Sequence, residues 1–134
     1  MKKQADQWLT FANYDLVTIS EIINNELLTA TVAFHAQQCI EKSLKAILSF
    51  HDLKIPRIHD LRKLYSTVSD IEKNLLIDSD LIDQLNQVYI DTRYPADFGL
   101  MPEGKPSITK ANEFHKLARD VYDRVVELVN GNNE

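Results

Sequence analysis

The chain has 134 residues, 44% apolar and 26% charged, which is the size and composition of one globular domain with room for a single core. Its formal net charge of −5 and isoelectric point near 5.3 exclude a protein that grips nucleic acid by bulk positive charge, though not one with a local basic contact to phosphate. No apolar run approaches the roughly 18 residues of a membrane span, the first residues lack a secretory apolar segment, and the single cysteine, Cys39, excludes an intrachain disulfide; together these point to the cytoplasm.

From Asp6 to Ile23 the residues Trp8, Phe11, Ala12, Leu16, Ile19 and Ile23 recur at helical period and predict a first helix with one buried side. Asp15 falls near the edge of that stripe, where a carboxylate ordinarily turns to solvent and otherwise serves as a buried partner for an Arg, a Lys or a backbone amide. Asn24-Asn25 marks a tight connection. A second helix is predicted from about Leu27 to Phe50, without Gly or Pro, and with Val32, Ala36, Ile40, Leu44, Ile47 and Leu48 as its apolar side.

Residues 51–58 contain Pro56 and lose periodicity, so they form a turn. Leu61, Leu64, Tyr65 and Val68 predict a short third helix that Asp60 or His59 can cap, and Ser69-Asp70-Ile71-Glu72 has the form of a capping box that would start a further short piece through Leu76. Asp80 to Thr92 reads as the next long helix, ended by Pro95. Residues 96–106 hold two glycines and two prolines, and a long irregular loop inside a small domain is often functional. Ser107 caps a last helix reaching about Val129, with Ile108, Ala111, Phe114, Ala118, Val121, Val125 and Leu128 as its buried side. The expected fold is all-α: an antiparallel up-and-down four-helix bundle with an additional short helix, one domain over residues 1–134.

Beside the apolar stripe of the second helix, His35, Gln38, Lys42 and Lys45 fall at i, i+3, i+7 and i+10, a line of polar groups along one side of the cylinder. The ordinary reading is a solvated face, in which Glu41 and Lys45 make an exposed i, i+4 pair; the functional one is a polar surface offered to a ligand. Cys39 reads as a buried, inert thiol. At the end of the fourth long segment, Arg93 can fork onto a phosphate and Tyr94 can stack on a base, or else Arg93 caps helix carbonyls or pairs with Asp15. His35, His51, His59 and His115 with one cysteine make no zinc pattern, and neither a glycine-rich phosphate loop nor a Gly-x-Ser-x-Gly elbow is present, so no metal or cofactor is expected.

Phe34 to Ala46, FHAQQCIEKSLKA, resembles the second helix of HEPN domains, His59-Asp60-Leu61 resembles the start of that family's short third helix, and Tyr89 to Pro95 resembles its Thr-Arg-Tyr-Pro segment; Trp8, Ala12, Asp15 and Leu16 suit its first helix. The resemblance implies a dimerising helical bundle, often encoded beside a minimal nucleotidyltransferase with which it forms a toxin-antitoxin or nucleotide-handling pair. Many members of that family are also metal-independent ribonucleases. Two candidate activities follow for this chain: one is a module that presents Gln38, Lys42, Lys45, Arg93 and Tyr94 to a nucleotide or RNA, and the other is a metal-independent ribonuclease with Arg93 as the cation and His35, His59 or His115 as a displaced base. The family's ribonucleases carry a histidine four to six residues after the arginine, whereas residues 94–99 hold none, which places cleavage second to binding, with a purely structural assembly subunit as the remaining alternative.

Overall fold

Helix α2 (Thr29–Phe50) is the axis of the molecule and packs against each of the other helices: α1 (Lys2–Ile22), α3 (Leu61–Ile71), α4 (Ser79–Arg93) and α5 (Ile108–Val126). This computed structural model describes residues 2–93 and 105–131, and among them there is no strand. The all-α bundle and the helix order agree with the sequence pattern. Four helices are long and α3 is the short addition after α2. A 3-10 turn, Glu26–Leu28, separates α1 from α2, and a π turn, Glu127–Gly131, extends α5.

Each boundary has a local cause. The Asn25 side chain accepts from the Leu27 N–H (3.0 Å) and opens the 3-10 turn. Asp60 accepts from the N–H groups of Arg62 (2.9 Å) and Lys63 (3.3 Å), so it is the cap of α3, and Ser107 accepts from the N–H of Lys110 (3.0 Å) at the start of α5. Helix α2 closes with Asp52 in the left-handed region at φ 58°: the Leu53 N–H donates to the Leu48 carbonyl (2.9 Å) and the Asp52 N–H to that of Ser49 (3.0 Å). The Tyr65 hydroxyl donates to the Leu75 carbonyl (3.1 Å) and accepts from the Ile77 N–H (3.0 Å), pinning the connection into α4.

Three sequence expectations change. The Ser-x-x-Glu tetrad starts nothing: residues 69–71 are the last turn of α3, where the Ser69 hydroxyl donates to the Ser66 carbonyl and Glu72 is the C-cap. A tetrad caps only where the chain first enters a helix, and here α3 has already run for two turns. Phe11, assigned to the inner stripe of α1, is 51% exposed, because Leu9 and Ala12 take the packed positions. Ile108 is likewise exposed at the first turn of α5, while Leu117 and Val129 enter the core.

The core is built from Leu16 and Ile19 of α1, Ile40, Leu44 and Ile47 of α2, Leu61 and Leu64 of α3, Ile82 and Leu85 of α4, and Phe114, Ala118 and Val121 of α5. Helices α1 and α2 run antiparallel in close contact: Asp15 meets His35 and Lys42, and Trp8, two turns earlier, meets Lys45. Their seam carries the buried polar groups of the molecule that matter below.

Candidate functional site

The first cluster on this seam is centred on Asp15, which α1 delivers into the interface almost fully buried. Its Oδ1 lies 2.8 Å from His35 Nδ1 and its Oδ2 accepts from Lys42 Nζ at 2.9 Å. His35 and Lys42 stand seven residues apart, two turns of α2, so one carboxylate spans both. A carboxylate can only accept, so His35 Nδ1 carries the hydrogen and, in the neutral ring, Nε2 is left as the acceptor. The His35 and Lys42 side chains are 24% and 26% exposed, so each is held by Asp15 on one side and partly open to solvent.

The second cluster is centred on Glu41. Its carboxylate takes His59 Nδ1 at 3.1 Å on each oxygen, Lys45 Nζ at 2.8 Å and Gln37 Nε2 at 3.2 Å; Gln37 Nε2 also donates to the His59 carbonyl (3.0 Å) and Gln38 Nε2 to Gln37 Oε1 (3.1 Å). This overturns the expectation of a solvated Glu41–Lys45 pair: the two side chains are only 5% and 7% exposed. The i, i+4 spacing was right, but His59 from the start of α3 and Trp8 from α1, whose ring centroid lies 5.7 Å from Lys45 Nζ, close over the pair.

The predicted line of polar groups is therefore divided. His35 and Lys42 share Asp15; Lys45 is committed to Glu41; Gln38, half-buried between them, reaches Glu41 through Gln37. The three candidate histidines are apart in the fold: His35 is on α2, His59 precedes the cap of α3 and His115 is on α5. His59 belongs to the Glu41 cluster, and His115 lies on α5, where burial and then the Arg119 guanidinium lower its pKa and favour the neutral ring. Arg93 is the last residue of α4; its side chain, the whole of Tyr94 and residues 96–104 of the predicted loop lie outside the described residues. Cys39 faces α5, its thiol directed at the Ala118 carbonyl (3.8 Å). Burial, then the charge of Asp15, pushes it up to about 12, against the weaker downward pull of Ser43, Arg119 and Lys42, so this thiol is inert at neutral pH.

The residues that sequence reasoning passed over are Gln37 and Glu41 as a buried polar pair. The available signal was three polar residues, Gln37, Glu41 and Lys45, at i, i+4 and i+8 beside an apolar stripe. Among the described residues no group of three or more His, Cys, Asp or Glu could hold a metal ion.

The family model for the HEPN domain matches residues 5–129, nearly the whole chain. This chain belongs to the HEPN family. The match runs from α1 through α5, so both carboxylate-centred clusters sit inside the HEPN domain. Comparison with curated proteins and with solved structures finds no significant match. None of the described helices of this HEPN domain is long and apolar enough to cross a membrane.

Proposed function

We propose that this HEPN domain is a nucleotide- or RNA-binding helical module, acting as a homodimer and as the partner of a minimal nucleotidyltransferase in a toxin-antitoxin-type pair. The observation that carries the binding reading is the Asp15 cluster: a buried carboxylate holding an ammonium and an imidazole at the edge of the bundle, each about a quarter exposed. Lys42 is the cation for a phosphate oxygen and His35 a second donor when it is protonated, which turns the cluster from neutral to singly positive. Gln38, one turn from both, adds an amide. Arg93 and Tyr94 join the proposal on the strength of the sequence alone, while Lys45, held by Glu41, supports the seam from inside. A site with a single ammonium suits a discrete phosphate better than a long polyanion, in keeping with the acidic total. Tyr14 and Val17, exposed on α1, support self-association.

Calorimetric titration with nucleoside triphosphates tests this reading. Wild type is expected to bind, and Lys42→Ala and Arg93→Ala each to bind about tenfold more weakly, the loss of one charge-assisted hydrogen bond. Equal binding by all three proteins, or none by wild type, overturns it.

A further inference from the structure

Trp8 is the only tryptophan of the chain, and it lines a groove of about 530 Å³ between the start of α1 and the end of α2. The volume is within the range of small-molecule sites. Trp8, Phe11 and Leu53 give the groove an apolar floor, and its polar groups are the amides of Gln4 and Gln7, the Ser49 hydroxyl and the carboxylate of Asp52. The left-handed turn at Asp52 that closes α2 is what brings both Asp52 and Leu53 to this place. The Lys45 ammonium, itself held by Glu41, steadies the indole from within the bundle.

This lining has the chemistry of a flat heterocycle. Aromatic rings take the π-face of a base without regard to sequence, and a glutamine amide, with a donor and an acceptor side by side, matches the edge of a purine. The lining contains no cation and one carboxylate, so it disfavours a phosphate and accepts from an exocyclic amine or a ribose hydroxyl. An anionic tail must therefore point elsewhere, and the fold supplies the direction. Trp8, Phe11 and Asp15 stand at i, i+3 and i+7 on one side of α1, so the groove and the Lys42–His35 donors lie along the same seam, about 10 Å apart by the helical rise. A nucleoside monophosphate can span that interval.

We infer that the Trp8 groove is the base subsite of a purine nucleotide whose phosphate lies at Lys42 and His35. The base lies against Trp8 and Phe11, Gln4 and Gln7 read its edge, and Asp52 keeps the phosphate out of the groove. Only the direction of the tail rests on the phosphate reading of Lys42; the base site stands on the groove itself.

The test uses Trp8 as its own reporter, by intrinsic fluorescence of the full chain titrated with adenosine and with AMP. Both ligands are expected to quench Trp8 saturably, AMP about tenfold more tightly. Phe11→Ala, at an exposed position that the fold does not need, weakens both ligands at least about fivefold through lost stacking. Gln7→Ala weakens both as well, whereas Lys42→Ala removes the advantage of AMP and leaves adenosine unchanged. If adenosine and AMP bind equally and Lys42→Ala changes neither, the groove stands and the phosphate reading falls. If calorimetry detects AMP while Trp8 does not respond, or Phe11→Ala and Gln7→Ala bind both ligands as wild type does, the base subsite is overturned and the phosphate reading is untouched.

Discussion

Replacing Glu41 by alanine will lower the folding stability by about 3 to 5 kcal/mol, the cost of removing one partner from a buried ion pair. The carboxylate is the shared acceptor of Lys45, His59 and Gln37, and Lys45, at 7% exposure, has no route to bulk water without opening the contact between Trp8 and α2. Deleting Glu41 therefore leaves an ammonium in the seam with an aromatic face beside it, and a desolvated cation–π contact recovers only about 2 kcal/mol. For a domain of this size the loss corresponds to a melting temperature lower by roughly 10 °C or more. The double variant Glu41→Leu with Lys45→Met removes both charges at similar volume and is expected to regain most of the stability. Thermal and denaturant unfolding of the three proteins checks this. A loss below about 1 kcal/mol for Glu41→Ala would mean that the pair behaves as a surface pair after all.

Asp15→Ala is the second large effect, expected at about 2 kcal/mol. It is smaller than the first because Lys42 and His35, unlike Lys45, are partly exposed and can turn to water when their acceptor is gone. What is lost is the cross-link between α1 and α2 at the middle of their contact. A double-mutant cycle of Asp15→Ala with Lys42→Ala, read by denaturant unfolding, isolates that link; a coupling of about 1 kcal/mol is expected, and additivity of the two changes would show that the link contributes nothing.

The helices themselves were legible because apolar period depends only on local sequence. Val32, Ala36, Ile40, Leu44 and Ile47 face inward as their spacing requires, and Asp60 caps α3 as its position before Leu61 suggested. The depth of polar groups was not legible. Spacing places Glu41 next to Lys45 but is silent on what covers them, and the cover comes from Trp8, 33 residues before Glu41, and His59, 18 residues after it. The same holds for Asp15, whose ordinary reading is an exposed carboxylate and whose burial is decided by two residues of another helix. The groove at Trp8 was invisible for a related reason: it joins the start of one helix to the end of the next through a turn conformation that period does not encode. Phe11 is the clearest case, since hydrophobicity assigned it to the core and the structure uses it to floor an open groove.

The central claim is that the α1–α2 seam holds a nucleotide with its phosphate on the Asp15-bound pair. Chemical-shift mapping of the nitrogen-15-labelled chain during titration with AMP tests it at the level of residues. Dose-dependent shifts concentrated at His35, Gln38, Lys42 and the Trp8 indole N–H are the predicted result; shifts confined to surfaces away from this seam, or none at saturating AMP, would contradict it.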